Sequence, residues 1–269
     1  MMSGVKRECE GNDEKKKKKK KLQQFQFGNY SRYYGYRNQN YVFDPRLTHL
    51  QRNWFESKHV LDIGCNAGLI TLTIAKEFCP SKIMGIDIDA KLIDLARKNV
   101  RQYENRQFVP RTVRLREKSC VIESRIHFPQ NVSFEVCNYV FDDDEKLITV
   151  KTLYDTIVCL SVTKWIQLNW GDLGLKRFFK RIYAELKPGG ILILEPQPMS
   201  SYKRKKCYTP ETLRNFSEIK LKPQQFSDYL LSEEVGFKSC KVIDTPEHSS
   251  KGFQRQILMF EKAEETNEA

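Results

Sequence analysis

The chain has 269 residues, of which 40% are hydrophobic and 30% are charged, and its formal net charge is +12. This length suits one large domain with tails, and no apolar run approaches the roughly 18 residues that a membrane-spanning helix needs. Length and composition therefore argue against a membrane protein and predict a soluble, intracellular one. The positive charge favours an anionic partner, with nucleic acid as the leading candidate.

The N-terminal residues carry much of this charge. Residues 1–21 hold nine Lys or Arg and four Asp or Glu, and they end in the lysine run Lys15–Lys21. Like charges in such a run repel one another and bury too little apolar surface to order the backbone. We expect residues 1–24 to form a disordered tail. Its lysines are either a solvated charge run or a nuclear signal or phosphate-binding arm.

The remaining chain divides into one domain and a short acidic tail. We expect the domain to span residues 25–262 and the tail residues 263–269. Within the domain, residues 106–130 are rich in arginine and do not follow the pattern of their neighbours, which predicts a flexible basic insertion. The insertion is either a solvated loop or a nucleic-acid contact.

The eight cysteines and four histidines show no spacing typical of a zinc site. We therefore expect no metal ion and reduced cysteines that serve mainly as packing residues. No cysteine is assigned a catalytic role.

An aromatic and basic segment, Phe25 to Arg37, opens the domain. The spacing of Tyr30, Tyr33, Tyr34 and Arg37 places them on one side of a predicted helix. Such a stripe either docks a terminal helix onto the domain or stacks on bases and grips phosphates.

The central part of the chain alternates between strand and helix patterns. Strands are predicted at 58–63, 82–87, 132–137, 154–160 and 191–195, helices at 69–78, from 90 onward and at 172–187, and a final hairpin-like pair of strands at 236–245 and 253–262. Repeated strand, helix, strand order predicts a parallel sheet. The fold class is therefore α/β and Rossmann-like, with a mostly parallel seven-stranded sheet and helices on both faces.

A glycine loop follows the first predicted strand. That strand ends at Asp62, and Gly64 and Gly68 come next, while Asp87 ends the second strand. Ligands of such sheets bind at the carboxyl ends of the strands, and glycines allow the backbone to turn sharply there. A carboxylate at the end of the second strand is suited to accept the hydroxyls of an adenosine ribose.

Two cofactors fit an adenosine site of this kind. A nicotinamide dinucleotide prefers Gly-x-Gly-x-x-Gly, which brings a helix N-terminus to the pyrophosphate. This loop has only Gly64 and Gly68, and Asp62 would place a negative charge near that pyrophosphate. The cationic, phosphate-free methionine end of S-adenosylmethionine suits Asp62 better. The loop thus predicts a class I S-adenosylmethionine-dependent methyltransferase, with S-adenosylhomocysteine as product.

Basic residues at the same sheet edge indicate the acceptor. Lys164 follows the fourth strand, several lysines and an arginine follow the fifth at residues 200–206, and Lys251 and Arg255 precede the last strand. The Asn/Asp-Pro-Pro-aromatic clamp typical of adenine methylation is missing after strand four. A phosphate oxygen is already an anion and requires neutralisation and orientation rather than a base. These residues favour a phosphate acceptor.

A series of motifs in order carries a family resemblance. They are Phe27-Gly28-Asn29-Tyr30, Tyr33-Tyr34-Gly35-Tyr36-Arg37-Asn38, the Asp62 to Gly68 loop, Gly85-Ile86-Asp87-Ile88-Asp89, Asn138-Tyr139-Val140, Leu160-Ser161-Val162-Thr163-Lys164-Trp165, Leu168-Asn169-Trp170-Gly171-Asp172, Glu195-Pro196-Gln197-Pro198 and Ser250-Lys251-Gly252-Phe253-Gln254-Arg255. With them, residues 25–262 resemble the whole catalytic domain of the methylphosphate capping enzymes, the Bicoid-interacting RNA methyltransferases. One departure is Met199, which stands where relatives carry tryptophan.

The resemblance implies an S-adenosylmethionine-dependent RNA 5′-phosphate O-methyltransferase. Its substrate would be the γ-phosphate of a 5′-triphosphate on a structured small nuclear RNA of the 7SK type, and its place the nucleus. A La-related protein in the same ribonucleoprotein particle is the implied protein partner.

The resemblance also implies site residues. The implied cofactor pocket comprises Tyr34, Arg46, Gly64, Cys65, Asn66, Asp87, Ile88, Asn138, Tyr139 and Leu160. The implied catalytic residues at the RNA end are Lys164, Tyr36 and Arg37. The implied RNA-phosphate contacts are Ser200, Ser201, Lys203, Arg204, Lys251 and Arg255.

Two other functions remain open on the sequence alone. The acceptor is a 5′-monophosphate in one of them, as in an enzyme acting on microRNA precursors or transfer RNA. In the other, the protein is an RNA-binding scaffold that stays on its product, which the aromatic and basic segment and the lysine run favour.

Overall fold

The computed structural model describes residues 24–38, 43–104 and 127–265. Most of the predicted N-terminal tail, basic insertion and acidic tail lies outside these residues. Those three predictions therefore stay predictions.

One sheet of seven strands organises the described residues. The strands are β1 His59–Ile63, β2 Lys82–Asp87, β3 Val132–Val136, β4 Tyr154–Leu160, β5 Leu186–Glu195, β6 Ser239–Asp244 and β7 Ile257–Glu261. Their order is β3-β2-β1-β4-β5-β7-β6, in which β1 to β5 are parallel and β7 is antiparallel to both of its neighbours. The predicted mostly parallel sheet with a closing strand pair is confirmed. The chain order reverses between β1 and β4, which is where such sheets bind ligands.

The described residues also form eight α-helices. They are α1 Tyr33–Arg37, α2 Leu69–Glu77, α3 Ala90–Glu104, α4 Glu145–Ile148, α5 Thr163–Glu185, α6 Met199–Lys203, α7 Pro210–Glu218 and α8 Phe226–Leu231. Among these residues, no helix combines the length and the apolar character that crossing a membrane requires.

Apolar layers lie on both faces of the sheet. On one face Phe178, Phe179 and Ile182 of α5 are fully buried, so the predicted apolar face of this helix is confirmed. On the other face Ile70 and Ile74 of α2 pack with residues of β1 and β4. Burial on both faces explains why the central strands read as continuous apolar runs.

The long helix α5 differs from its prediction at both ends. It begins at Thr163 rather than at 172, with a break at Gly171, whose φ of 65° is left-handed. It ends at Glu185, and β5 already starts at Leu186, so the predicted stop at Pro188 lies inside the strand. The apolar repeat is clear only after the break. The first turn contains residues that face a cavity rather than the core, so its pattern resembles a loop.

The predicted aromatic helix is shorter than expected. Only Tyr33–Arg37 is helical, and Tyr30 lies before it, outside the helix. The carbonyl of Tyr30 accepts hydrogen bonds from the N–H of Tyr33 at 3.0 Å and from the side chain of Asn66 at 3.2 Å, rather than the helical bond from Tyr34.

Candidate active site

A cavity of about 780 Å³ opens at the carboxyl ends of the parallel strands. Its walls come from the loops after β1, β2, β3 and β4, from the first turn of α5 and from residues 24–38, here called the N-terminal strap. Its size is typical of a site for a cofactor or similar small molecule. The sheet thus brings residues that are distant in sequence to one place.

The glycine turn after β1 is built as the sequence predicts. Gly64 and Gly68 have φ of 73° and 80°, which favour glycine. A Cβ on Gly64 would lie 2.5 Å from a methyl carbon of Val162, and one on Gly68 would lie 2.9 Å from the ring of Phe134. Neighbouring side chains, in addition to the backbone conformation, therefore exclude larger residues at both positions.

Asp87 lies at the end of β2 and holds this turn in place. Its Oδ2 accepts a hydrogen bond from the backbone N–H of Asn66 at 3.0 Å, and its Oδ1 accepts one from the N–H of Asp89 at 3.0 Å. Burial raises the pKa of the Asp87 carboxyl, although these hydrogen bonds oppose the rise. Each carboxylate oxygen retains a lone pair for a further donor such as a ribose hydroxyl.

Asp62 is a second carboxylate in the cavity wall and is only 3% exposed. The hydroxyl of Thr71 donates to its Oδ2 at 2.6 Å. Burial raises the pKa of Asp62 to about 6, and the charge of Asp87 adds to the rise. A cationic ligand would stabilise both carboxylates, whereas a pyrophosphate would be repelled by them.

Aromatic and apolar groups line the wall after β3. Tyr139 is buried, and its hydroxyl donates to Glu185 at 2.8 Å. The guanidinium of Arg181 lies 3.9 Å from the centroid of its ring. Asn138 and Val140 line the cavity on either side. This rigid apolar wall suits an adenine ring. Together with the two carboxylates, it fits S-adenosylmethionine.

The N-terminal strap covers this part of the cavity. The side chain of Asn29 donates to Oδ2 of Asp89 at 2.5 Å, and that of Asn66 donates to the carbonyl of Tyr30 at 3.2 Å. The ring of Phe27 stacks on Trp170 with 5.7 Å between their centroids. The strap is thus attached to the loops after β1 and β2 and to α5.

Lys164 lies in the first turn of α5, where its side chain lines the cavity and is 6% exposed. Its Nζ lies 4.5 Å from the centroid of the Trp165 ring. Burial lowers the pKa of Lys164 to about 7, and the charges of Arg255, Lys205 and Arg204 lower it further. Four cations therefore lie close together at one end of the cavity. Their mutual repulsion favours the binding of an anion there.

A buried ion cluster supports this end. Glu195 is fully buried at the end of β5. Its carboxylate forms ion pairs with the guanidiniums of Arg37, Arg46 and Arg255, with N–O distances of 3.2, 3.3 and 3.2 Å. Arg37 and Arg46 also contact Asp44, at 3.5 Å and 2.8 Å. Burial opposes ionisation of Glu195, but the three guanidiniums outweigh it and lower its pKa. One carboxylate thus joins three separate segments.

Most of the residues implied by the resemblance meet in this cavity. Those that line it are Tyr34, Tyr36, Arg46, Gly64, Asn66, Asp87, Ile88, Asn138, Tyr139, Leu160, Lys164, Ser201, Arg204 and Arg255. Tyr36 is 63% exposed and lies at the mouth.

Five implied residues are not among the lining residues. Arg37 is 1% exposed and is held in the ion cluster, and Cys65 is 1% exposed behind the glycine turn. Ser200, Lys203 and Lys251 have exposed side chains. The structure thus separates Arg37 from Lys164 and Tyr36, with which it was grouped.

Other residues of the site were not assigned a role from the sequence. Trp165, Ser161, Gln197 and Arg32 line the cavity. Trp165 and Ser161 are next to predicted site residues in the sequence, whereas Gln197 and Arg32 are not. No spacing rule distinguishes a lining residue from its neighbour in these segments. Among the described residues, no group of three or more His, Cys, Asp or Glu is arranged to hold a metal ion.

Comparisons with known proteins agree with this fold. The sequence model of Bicoid-interacting protein 3 (Bin3) matches residues 154–262, and that of a methyltransferase domain matches residues 61–192. The plantazolicin methyltransferase BpumL, solved in complex with a monoazolic desmethylPZN analogue and SAH, has a similar fold with a TM-score of 0.51. It is 13% identical, and the match covers 92% of this chain and 98% of that one. The class I S-adenosylmethionine-dependent methyltransferase fold is confirmed, and S-adenosylmethionine is its cofactor.

Three curated relatives are similar in sequence. The human 7SK snRNA methylphosphate capping enzyme is 44% identical over 89% of this chain and 40% of its own length. The Drosophila melanogaster U6 snRNA methylphosphate capping enzyme Amus is 41% identical over 89% and 75%. The mouse RNA 5′-monophosphate methyltransferase is 25% identical over 53% and 47%. The chain thus spans about two fifths of the human relative and three quarters of the fly relative, and it belongs to the Bin3 family of methylphosphate capping enzymes.

Proposed function

We propose that the chain transfers a methyl group from S-adenosylmethionine to the γ-phosphate at the 5′ end of a small RNA. The observation that carries this proposal is the separation of charge within one cavity. Its carboxylates, Asp62 and Asp87, lie at the carboxyl ends of β1 and β2, and its clustered cations are Lys164, Arg204, Lys205 and Arg255. The first group suits a cationic donor and the second an anionic acceptor.

The number of cations favours a triphosphate over a monophosphate. A terminal monophosphate carries about −1.5 to −2 charges at neutral pH, and a triphosphate carries more. Lys164, Arg204 and Lys205, together with Arg255, which also pairs with Glu195, can neutralise more charge than a monophosphate carries. The same argument disfavours a ribose hydroxyl, which would need a base rather than added positive charge.

The chemistry requires positioning and charge neutralisation from the protein. S-Adenosylmethionine supplies, when bound, an electrophilic methyl carbon and leaves as S-adenosylhomocysteine. The acceptor oxygen is already anionic, so no side chain has to remove a proton from it. Lys164 and Arg255 would hold the terminal phosphate, and Ser201 would donate a hydrogen bond to it. Their task is to fix one oxygen in line with the methyl group.

Arg37 has a supporting role in this proposal rather than a catalytic one. Its guanidinium is paired with Glu195 and Asp44 inside the protein and does not line the cavity. We propose that it anchors the N-terminal strap.

The test is methyl transfer from labelled S-adenosylmethionine to one RNA that bears a 5′-triphosphate, a 5′-monophosphate or a 5′-hydroxyl. The expected label appears on the triphosphate RNA. Label confined to the monophosphate would instead identify the alternative acceptor. Label on the hydroxyl RNA with none on the triphosphate would overturn a phosphate acceptor altogether.

A lysine variant separates catalysis from binding. Lys164→Ala is expected to abolish methyl transfer and largely to spare RNA affinity, because other cations still attract the RNA backbone. Lys151→Ala, which removes an exposed lysine from the loop before β4, is the matched control. Equal loss of transfer and affinity in Lys164→Ala would favour an RNA-binding scaffold.

The proposal extends to partner and location. The relatives named for 7SK and U6 snRNA support a small nuclear RNA as substrate and the nucleus as the place of action. A La-related protein in the same particle is the partner that we propose. Sequencing the RNAs and identifying the proteins that copurify with the full chain test both parts. Copurification of ribosomal or transfer RNA alone would contradict them.

A further inference from the structure

Gln197 occupies a buried position between β5 and the start of α5. It is 1% exposed and lines the cavity. Its Oε1 accepts hydrogen bonds from the backbone N–H of Lys164 at 3.1 Å and from the hydroxyl of Thr163 at 3.2 Å, while its Nε2 donates to the carbonyl of Ser161. Two donors on one side and a carbonyl on the other fix the orientation of this amide.

The first turn of α5 needs such a partner. The first N–H groups of a helix have no acceptor within the helix, and a buried one must find an acceptor elsewhere. The residue that precedes the helix is Val162, whose side chain cannot accept a hydrogen bond, and no side-chain cap comes from it. Gln197, more than thirty residues further along the chain, supplies the missing acceptor to Lys164.

The turn before α5 is held by the same end of β5. Ser161 has a φ of 66°, a left-handed conformation that non-glycine residues adopt only when their surroundings enforce it. Its N–H donates to the carbonyl of Glu195 at 3.0 Å, and its hydroxyl donates to the Glu195 carboxylate at 2.5 Å. Its carbonyl accepts from Gln197. All three polar groups of Ser161 thus bind to the segment 195–197.

We propose that Gln197 is a positioning residue for phosphate methylation, because its amide fixes the β4–α5 turn and thereby holds Lys164 in the cavity. This inference rests on the function proposed above, in which Lys164 binds the terminal phosphate. Glu195 positions a second cation, Arg255, because its carboxylate oxygen lies 3.2 Å from the Arg255 guanidinium. A segment of three residues therefore sets the positions of two phosphate-binding cations from different parts of the chain.

Three variants of the full chain test the proposal. Gln197→Leu removes both halves of the amide at nearly constant volume, and Gln197→Glu keeps an acceptor for Lys164 but loses the donor to Ser161. The matched control is Gln167→Leu. Gln167 is equally buried in α5, donates to Asp172 and to the carbonyl of Leu221 at 2.7 Å each, and does not line the cavity.

The first measurement is the turnover number for methylation of the triphosphate RNA. We expect Gln197→Leu to lower it by about tenfold or more, since small misplacements of a catalytic group have effects of this size. Gln197→Glu should retain more activity than Gln197→Leu. Gln167→Leu should stay within about twofold of the wild type, because its lost hydrogen bonds lie away from the site.

The second measurement reports the position of Lys164 without catalysis. An amine-specific acetylating reagent should modify Lys164 slowly in the wild type, where the side chain is 6% exposed. Peptide mass spectrometry gives the rate for this residue. We expect faster modification in Gln197→Leu and the wild-type rate in Gln167→Leu.

Two results would overturn the inference. One is methyl transfer by Gln197→Leu that equals transfer by Gln167→Leu. The other is lost transfer in both Gln197 variants with an unchanged rate of Lys164 acetylation, because the lysine would then not have moved. If the wild type methylates no 5′-phosphate, the proposed function fails instead, and the acetylation rates still decide whether Gln197 holds Lys164.

Discussion

At the scale of single residues, the most informative group is Lys164. A lysine of ordinary pKa is a permanent cation, whereas burial lowers the pKa of this one to about 7, with help from three neighbouring cations. These neighbours are Arg255, Lys205 and Arg204. A terminal phosphate that enters the cavity would relieve this repulsion and restore the charge on Lys164.

This pKa predicts a pH dependence. In the free enzyme Lys164 loses its proton as pH rises through about 7, so kcat/KM for triphosphate RNA should fall between neutral and alkaline pH. Lys164→Arg carries a guanidinium that stays charged, and its profile should be flat over this range, whatever its absolute rate. The measurement is kcat/KM from pH 6 to pH 9. Parallel profiles for both proteins would contradict a role for this titration.

Asp87 gives a separate prediction for the cofactor. Hydrogen bonds to a charged group contribute about 1.5 to 3 kcal/mol, so Asp87→Asn should weaken S-adenosylmethionine binding by roughly 10- to 100-fold. Titration calorimetry measures this, with Asp94→Asn as the control, because Asp94 is 65% exposed on α3. Similar affinities for the two variants would remove Asp87 from the cofactor site.

Residue types were easier to predict than residue roles. Asp62 and Asp87 lie at the ends of strands, and Gly64 and Gly68 follow one, so their approach to one another could be predicted from strand order alone. The role of Arg37 could not be predicted from strand order. A sequence shows that an arginine is present but not that Glu195, far away in the chain, will bury it and neutralise its charge.

At the scale of elements, strands were predicted more closely than helix ends. The bounds of β2 and β4 agree with their predictions because continuous apolar runs end at polar residues. The start of α5 was missed because its cap is Gln197, a long-range partner that leaves no local pattern. The helix α1 was predicted to be too long because the hydrogen bonds of the Tyr30 carbonyl, with Tyr33 and Asn66, leave no mark in the spacing of aromatic residues.

The N-terminal strap offers a prediction at this scale. A Cβ on Gly28 would lie 2.1 Å from the Trp165 ring, and the φ of Gly28 is +74°. Gly28→Ala should therefore lift the strap from the cavity and lower methyl transfer by about tenfold or more. The stability to denaturant should change little, because the core does not contact this residue.

Gly35→Ala is the matched control for the strap. Gly35 lies in α1 with nothing within 4 Å of the position of a Cβ. The substitution adds a better helix former in open space and should leave methyl transfer unchanged. Equal rates for the Gly28 and Gly35 variants would show that closure of the strap is not needed for transfer.

At the scale of the whole molecule, two charge patterns act together. In the proposed function, the net charge of +12 attracts the RNA, and the clustered cations of the cavity bind its 5′ end. Composition predicts the first pattern, because it is a sum over all residues. The second pattern, the arrangement of charges in the cavity, depends on a sheet that brings strand ends together. The sequence predicts which strand ends meet, but not which side chains there face the cavity.

The central claim is that the methyl group reaches the terminal phosphate of the RNA. The most direct measurement is mass spectrometry of the 5′-terminal nucleotide, released by nuclease from triphosphate RNA that the full chain has methylated. The expected product carries one added methyl group on its triphosphate and an unmodified base and ribose. A methyl group on the base or the ribose, with an unmodified triphosphate, would contradict the account.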